Sequence, residues 1–315
     1  MAEVERYPTP GGVENAIKEA AKKAAATDPS LDVNKRIHLE YFNRFLSRVF
    51  SEGAESEWVL KGGTGILARV PSTRSTRDID LYRESFTLAE ALTDLTRLAA
   101  VDLGDHFTFQ YAGHADSIGT DNQPYTEGYQ VKFDILIGAA SKGSLQVDLA
   151  VGAGPTGDVV TTEPASALAL PRLTSFPYRL YPVVDQIADK VCATMTEYQG
   201  KASSREKDLV DLVVFAATQD LDGTALRVAI TTEARRRKME PFDHFTVPST
   251  WGPGYTKLAK PVPYCANYPT VDLAATLVAR LIDPALAGDA DGMAWSHTEL
   301  AWSPSPSVPR AYPAT

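Results

Sequence analysis

Apolar residues at three- and four-residue spacings alternate along this chain with stretches where they recur at every second position. Over residues 28–52, Leu31, Ile37, Tyr41, Phe42, Phe45, Leu46, Val49 and Phe50 form one stripe behind an Asp28-Pro29 start, which predicts an amphipathic helix. Trp58-Val59-Leu60 then reads as a short strand broken at Gly62-Gly63, followed by a helical stretch from Thr64 to Val70 and a polar, basic loop over 71–77. In Asp78-Ile79-Asp80-Leu81-Tyr82 the period drops to two, so both aspartates share one strand face and Ile79 and Leu81 the other. A helix over 87–100 and strand-like runs over 107–111, 129–137 and 145–150 follow. In the last run Asp148 takes the face opposite Val147 and Leu149.

The stretch 151–182, rich in Gly, Thr, Pro and Ala, is expected to connect to a second unit. Beyond it Val184, Ile187, Val191 and Met195 mark a helix over 183–198, with Asp185, Asp189 and Lys190 on or near its other side. Ser203 and Glu206 have capping-box spacing ahead of another helix. There Leu209, Leu212, Val213 and Ala216 line the apolar face while Arg205, Asp208 and Asp211 recur every three residues elsewhere. A basic helix around Arg235, Arg236, Arg237 and Lys238, a Pro/Gly/aromatic stretch over 241–268, a helix over 271–282 and a loosely ordered Pro-rich tail complete the pattern. The order predicts an α/β (α+β) fold with a mixed sheet flanked by helices in residues 1–170 and a mainly helical part in 171–315.

Composition narrows the classes. With 44% hydrophobic and 23% charged residues in 315, the chain reads as globular; 31 basic against 40 acidic residues exclude an overall basic surface for nucleic acid. The imbalance is uneven: after Gln219 there are 9 basic and 10 acidic residues, near −1, against about −8 before it, so the later part is the better expected surface for a polyanion. Cys192 and Cys265 show no metal or disulfide spacing, and His38, His106, His114, His244 and His297 none for a ligand set. No apolar run approaches the roughly 18 residues of a membrane span, and the start lacks an export pattern, so a cytoplasmic protein without membrane contact is expected.

The candidate chemistry lies in the carboxylates. Asp78 and Asp80 on one strand face, with Asp148 from another strand, suit one or two Mg²⁺ ions, which prefer hard oxygen donors and keep positions for phosphate and water. The Gly62-Gly63 turn lets backbone approach a phosphate at a helix start. Asp220/Asp222 and Asp289/Asp291 repeat the spacing beside glycines, where a solvated turn is the preferred reading. Neither a P-loop nor a dinucleotide fingerprint is present, so metal and phosphate together point to phosphoryl or nucleotidyl transfer.

Lys61-Gly62-Gly63-Thr64, Arg74-Ser75-Thr76-Arg77-Asp78-Ile79-Asp80-Leu81, Asp189-Lys190 and Arg205-Glu206-Lys207-Asp208-Leu209-Val210-Asp211-Leu212, in this order, resemble the motifs of the AbiEii/MenT nucleotidyltransferase toxins, members of the DNA polymerase β-like superfamily. The resemblance spans about Trp58 to Phe215. It implies a polymerase β-like nucleotidyltransferase core with N-terminal helices, and a later helical part that supplies further motifs and RNA docking. Also implied is a toxin of a toxin–antitoxin or phage-defence pair, moving nucleoside monophosphates from an NTP to the tRNA 3′ end and so blocking translation. The expected partners are tRNA and a cognate antitoxin, and a monomer suffices.

By the same resemblance, Lys61, Gly62, Gly63, Thr64, Arg77, Arg205 and Asp208 border the nucleotide. Asp78, Asp80 and Asp148 hold Mg²⁺, with Mn²⁺ as a substitute, and Lys190 and Asp211 are the basic and acidic members of the later motifs. Arg235, Arg236, Arg237 and Lys238 are either a solvated helical face or the tRNA backbone contact. Two other functions share the motifs: a nucleotidyltransferase acting on a small molecule or protein side chain, and a non-catalytic nucleotide or RNA binder.

Overall fold

A computed structural model of the chain describes residues 6–116, 127–197 and 200–305. In order, the elements are α1 (Pro10–Thr27), α2 (Val33–Val49), β1 (Val59–Lys61), α3 (Gly62–Arg69), β2 (Ile79–Glu84), α4 (Leu88–Ala99), β3 (Phe107–Asp116), β4 (Glu127–Ile137), β5 (Ala140–Gly152), β6 (Val160–Thr162) and β7 (Tyr178–Leu180). Then come α5 (Val183–Met195), α6 (Glu206–Thr218), β8 (Leu221–Asp222), α7 (Gly223–Arg236), α8 (Pro253–Ala259), α9 (Val271–Ala287), β9 (Met293–Ser296) and β10 (Ala301–Pro304).

Among the described residues β1 to β7 form one sheet in the order β3-β4-β5-β2-β1-β7-β6, and β8 to β10 a small second one. The β2–β5 and β1–β7 pairs are parallel and the others antiparallel, giving the mixed α/β architecture that the alternating pattern predicts. Every second residue, including Phe109, Phe133, Val147, Leu149, Ile79 and Leu81, is buried on one face, where Phe45 of α2 meets Phe109 and Phe133 edge-on or tilted. The opposite face carries the polar alternates, and the candidate chemistry lies there.

A second apolar cluster joins α3, α5, α6, α7 and α9. Helix α6 sits at its centre: Leu209, Val210, Leu212, Val213, Val214, Phe215 and Ala216 are all buried. A helix enclosed on every side must also enclose its polar residues, and Asp208 and Asp211 therefore face inward and need cations.

Some local expectations change. Helix α2 begins at Val33, capped by the Asp32 carboxylate accepting from the Lys35 N–H (2.9 Å), because Asp28 is engaged by Ser30, Arg36 and Ser72. The stretch 151–182 is more than a connection: it contributes β6 and β7, and Tyr178 of β7 is buried in the sheet's core, beyond position 170. The capping box at Ser203 and Glu206 does not form. Helix α6 starts at Glu206 itself, and the Glu206 carboxylate accepts the Gly252 N–H (2.8 Å) ahead of α8. Of the Pro-rich tail, 301–304 pair as β10 with β9, and 306–315 lie outside the described residues.

Asp222, read as a turn residue, caps α7 by accepting from Ala225 N–H (2.7 Å). Replacing it by alanine is expected to cost about 1 kcal/mol. The thermal midpoint should fall by about 2 °C.

Candidate active site

Two adjacent strands, β2 and β5, bring the predicted acids together. In the register of the sheet Lys61 of β1 stands opposite Asp80 of β2, Asp80 opposite Asp148 of β5, and Asp148 opposite Gln130 of β4. Partners in register project to the same face, so these four form a polar band across the sheet. Asp78 immediately precedes β2. Its Oδ1 accepts from Thr76 Oγ1 (2.8 Å), and its carbonyl accepts from Thr64 Oγ1 (2.8 Å), which ties the first turn of α3 to the strand. Burial pushes the Asp80 carboxyl up to about 6; the Asp78 and Asp148 charges act in the same direction and Lys61 and Lys207 against it. Asp148 is also raised, by burial first and then by Asp78, while hydrogen bonds from Gln146 and Gln130 oppose the shift.

The diglycine turn fits against this band. Gly62 has φ +61°, in the left-handed region, and a Cβ there would stand 1.8 Å from Asp80 Oδ2. At Gly63 a Cβ would stand 3.0 Å from Thr76 Oγ1. Gly62→Ala therefore displaces the Asp80 carboxylate as well as straining the turn. Since a shift of about 1 Å in a reacting group costs about a hundredfold, nucleotidyl transfer should fall by about that factor. Comparing kcat/KM with the thermal midpoint of the same variant checks this.

A second polar cluster lies behind α3. The buried Lys190 Nζ is 2.7 Å from Asp211 Oδ2 and 3.2 Å from Asp208 Oδ1. Arg74, from the loop before β2, grips Asp211 with two hydrogen bonds (2.8 and 2.7 Å), and Arg205 pairs with Asp208. Burial works against the charge on Lys190, but Asp211 and Asp208 overcome it and hold its pKa above the ordinary lysine value. Burial likewise opposes ionisation of Asp208 and Asp211, yet Lys190 and the arginines hold both below the usual carboxylate range. Arg74, Lys190 and Arg205 surround Asp208 and Asp211 in this cluster. It fastens the loop bearing Asp78 to helices α5 and α6.

The remaining predicted residues separate. Lys190 and Lys61 meet at a small cavity of about 40 Å³ bounded also by Gly62, Tyr82, Tyr181 and Asp189. Arg77 is exposed and lines a different, open groove over β3–β5. The basic run breaks up: Arg237 is buried and paired with Asp189 and Glu233, and Arg236 donates to the Gly154 carbonyl (2.9 Å), while Arg235 and Lys238 are exposed. A continuous basic track over Arg235–Lys238 is therefore not what this helix presents, because its last turn is drawn inward by α5. In sequence Arg74 reads equally as a phosphate contact or a solvated loop charge, whereas it is bound to Asp211, and nothing in the sequence singles out Gln130 or Gln146. A third cation facing two buried helix carboxylates was the available signal for Arg74; strand alternation placed Gln146 beside Asp148.

The donor set suits a divalent ion. Mutual repulsion among three carboxylates is what such an ion neutralises, and the missing Cβ at Gly62 keeps the approach to Asp80 open. Among the described residues no three Asp, Glu, His or Cys side chains already close around a common point. Magnesium needs only one or two carboxylates and completes its shell with phosphate and water.

The profile of the nucleotidyl transferase AbiEii toxin, type IV toxin–antitoxin system, matches residues 44–290. The chain belongs to the AbiEii nucleotidyltransferase toxin family. It is a nucleotidyltransferase of a family whose toxins pair with antitoxins. No curated protein sequence matches this AbiEii-family chain significantly.

Similar solved structures include JHP933 from Helicobacter pylori (14% identity, 82% of this chain and 96% of that one, TM-score 0.43) and a putative nucleotidyltransferase from H. pylori (15%, 82% and 98%, 0.43). A third is MenT4, a nucleotidyltransferase toxin from Mycobacterium tuberculosis H37Rv (13%, 86% and 98%, 0.46). Among the described residues of the AbiEii-family chain, no helix is long and apolar enough to cross a membrane.

Proposed function

We propose that this AbiEii-family enzyme transfers nucleoside monophosphates from an NTP to the 3′ end of tRNA in a Mg²⁺-dependent reaction, arresting translation until a cognate antitoxin intervenes. The observation that carries the reading is the register of β1, β2 and β5, which sets Asp80 between Lys61 and Asp148 beside a glycine that cannot bear a side chain.

Asp78 and Asp80 are the residues that would hold Mg²⁺, which when bound neutralises the triphosphate and polarises the phosphorus under attack. Gly62 and Gly63 bring backbone N–H groups to the phosphates at the start of α3. Lys61, on the far side of Asp80, adds a positive charge toward the leaving pyrophosphate. Asp148 accepts the proton of the attacking hydroxyl; its raised pKa favours that role, since a base becomes stronger as its pKa rises. Lys190, Asp208, Asp211 and Arg74 position the Asp78 loop. They are held too tightly to one another to serve the phosphates individually.

One incubation tests the proposal: purified enzyme, Mg²⁺, each of four α-labelled NTPs in turn, and total RNA. The expected result is label in the tRNA band with at least one NTP, and none when EDTA is present from the start of the incubation. Label in no RNA with any NTP would refute the tRNA acceptor.

A further inference from the structure

The polar face of the sheet is covered unevenly. Over β1 and β2 it is roofed by α5 and α7, which enclose the small cavity containing Lys61 and Lys190. Over β3, β4 and β5 it is an open groove of about 570 Å³, lined by Arg77, Gln130, Lys132, Ser144, Gln146 and the 112–115 segment of β3. Among the described residues that line it none is acidic, on a chain whose net charge is −9.

The groove leads to the acidic band. Gln130 is the register partner of Asp148, and Lys132 that of Gln146, whose Nε2 lies 3.5 Å from Asp148 Oδ1. An acceptor lying there has its hydroxyl end at Asp148 and its body over two cations and two amides. Amide side chains both donate and accept hydrogen bonds, as base edges require, and cations hold phosphates. Being open at its outer side, the groove suits a chain that continues into solvent; a small acceptor would need enclosure.

We propose that the β3–β5 groove, rather than the Arg235–Lys238 run, binds the 3′-terminal nucleotides of the acceptor RNA, with Arg77 and Lys132 on its phosphates. This rests on the tRNA-transfer reading above and adds the surface that receives the acceptor.

The test uses the full chain and two readouts: anisotropy of a 5′-fluorescein-labelled eight-nucleotide single-stranded RNA ending in CCA, and steady-state transfer of labelled nucleotide to tRNA. Lys132→Glu should raise the oligonucleotide Kd and the KM for tRNA about tenfold, leave kcat within about twofold, and flatten the salt dependence of log K by about 0.7 for the lost phosphate contact. Lys132→Gln should give a smaller loss in the same direction. Arg235→Glu combined with Lys238→Glu should leave Kd and KM within about twofold. Lys132 is exposed on the strand, so its variants are expected to keep the thermal midpoint.

Unchanged Kd and KM in Lys132→Glu, or a loss confined to the Arg235/Lys238 variant, overturns the groove assignment and leaves the tRNA-transfer reading standing. Wild type that binds the oligonucleotide in a Lys132-dependent way but transfers nothing to tRNA upholds the groove and refutes that reading. Wild type that neither binds nor transfers overturns both.

Discussion

Asp80→Asn is expected to abolish nucleotidyl transfer while making the metal-free protein more stable. Both effects follow from one fact: Asp80 is a carboxylate placed where its charge is unfavourable. Burial, Asp78 and Asp148 lift its pKa from 3.8 to about 6, and Lys61 and Lys207 only partly offset them. A shift of about two units corresponds to up to about 3 kcal/mol that the ionised side chain withholds from the fold at neutral pH.

Between pH 3.8 and about 6 the folded state binds more protons than the unfolded one, so this residue makes stability rise as pH falls through that window. Asparagine, of the same size and uncharged, should show a higher thermal midpoint than wild type at pH 7.5, and the difference should vanish near pH 4. Transfer should fall by at least about a thousandfold, about 4 kcal/mol of transition-state stabilisation, because an amide cannot supply the charge that holds a divalent ion. A variant that is stabilised but still active would show that the acidic band is not the reaction centre. A variant that is inactive and destabilised would assign the loss to folding.

The parts of this site readable from sequence are those set by local periodicity. Alternation along 78–82 and 145–149 placed each acid on the polar face of its strand, and the Gly62-Gly63 break marked the turn, since backbone geometry there depends on neighbouring residues. The parallel pairing of β1 with β7 joins Leu60 to Leu180, and the Arg74–Asp211 bond spans 137 positions; no local period encodes either. The basic run at Arg235–Lys238 looked uniform because composition does not reveal that Asp189 of α5 waits opposite Arg237. The open groove was invisible for a related reason. Lys132, Gln130 and Gln146 are ordinary polar alternates on separate strands, and only the register makes them neighbours.

Lys190→Met should destabilise the protein by about 3 kcal/mol, more than loss of a typical surface lysine, and the deficit should depend on pH in a way that packing loss would not. The methionine fills most of the space and leaves Asp208 and Asp211 buried without the ammonium between them. Breaking a buried pair costs about 3–5 kcal/mol; Arg205 on Asp208 and Arg74 on Asp211 remain, which places the value at the low end.

In the wild type both carboxyls are held below their ordinary range, so the stability they contribute is present above the unfolded value of 3.8 and is lost as pH falls through their folded pKa. Lys190, held above 10.5, contributes stability that is complete below that value and is lost as pH rises through its folded pKa. Without Lys190 the two acids titrate higher and can be neutralised by mild acid. The gap between wild type and Lys190→Met, measured by urea denaturation, should be widest near neutral pH and should narrow toward pH 3–4 and again above about pH 10.5. Transfer should fall too, through displacement of the Arg74–Asp78 loop, and Asp211→Asn should reproduce the fall without removing a cation. A gap constant with pH would mean that Lys190 is neutral in the core and that the cluster is held together by packing alone.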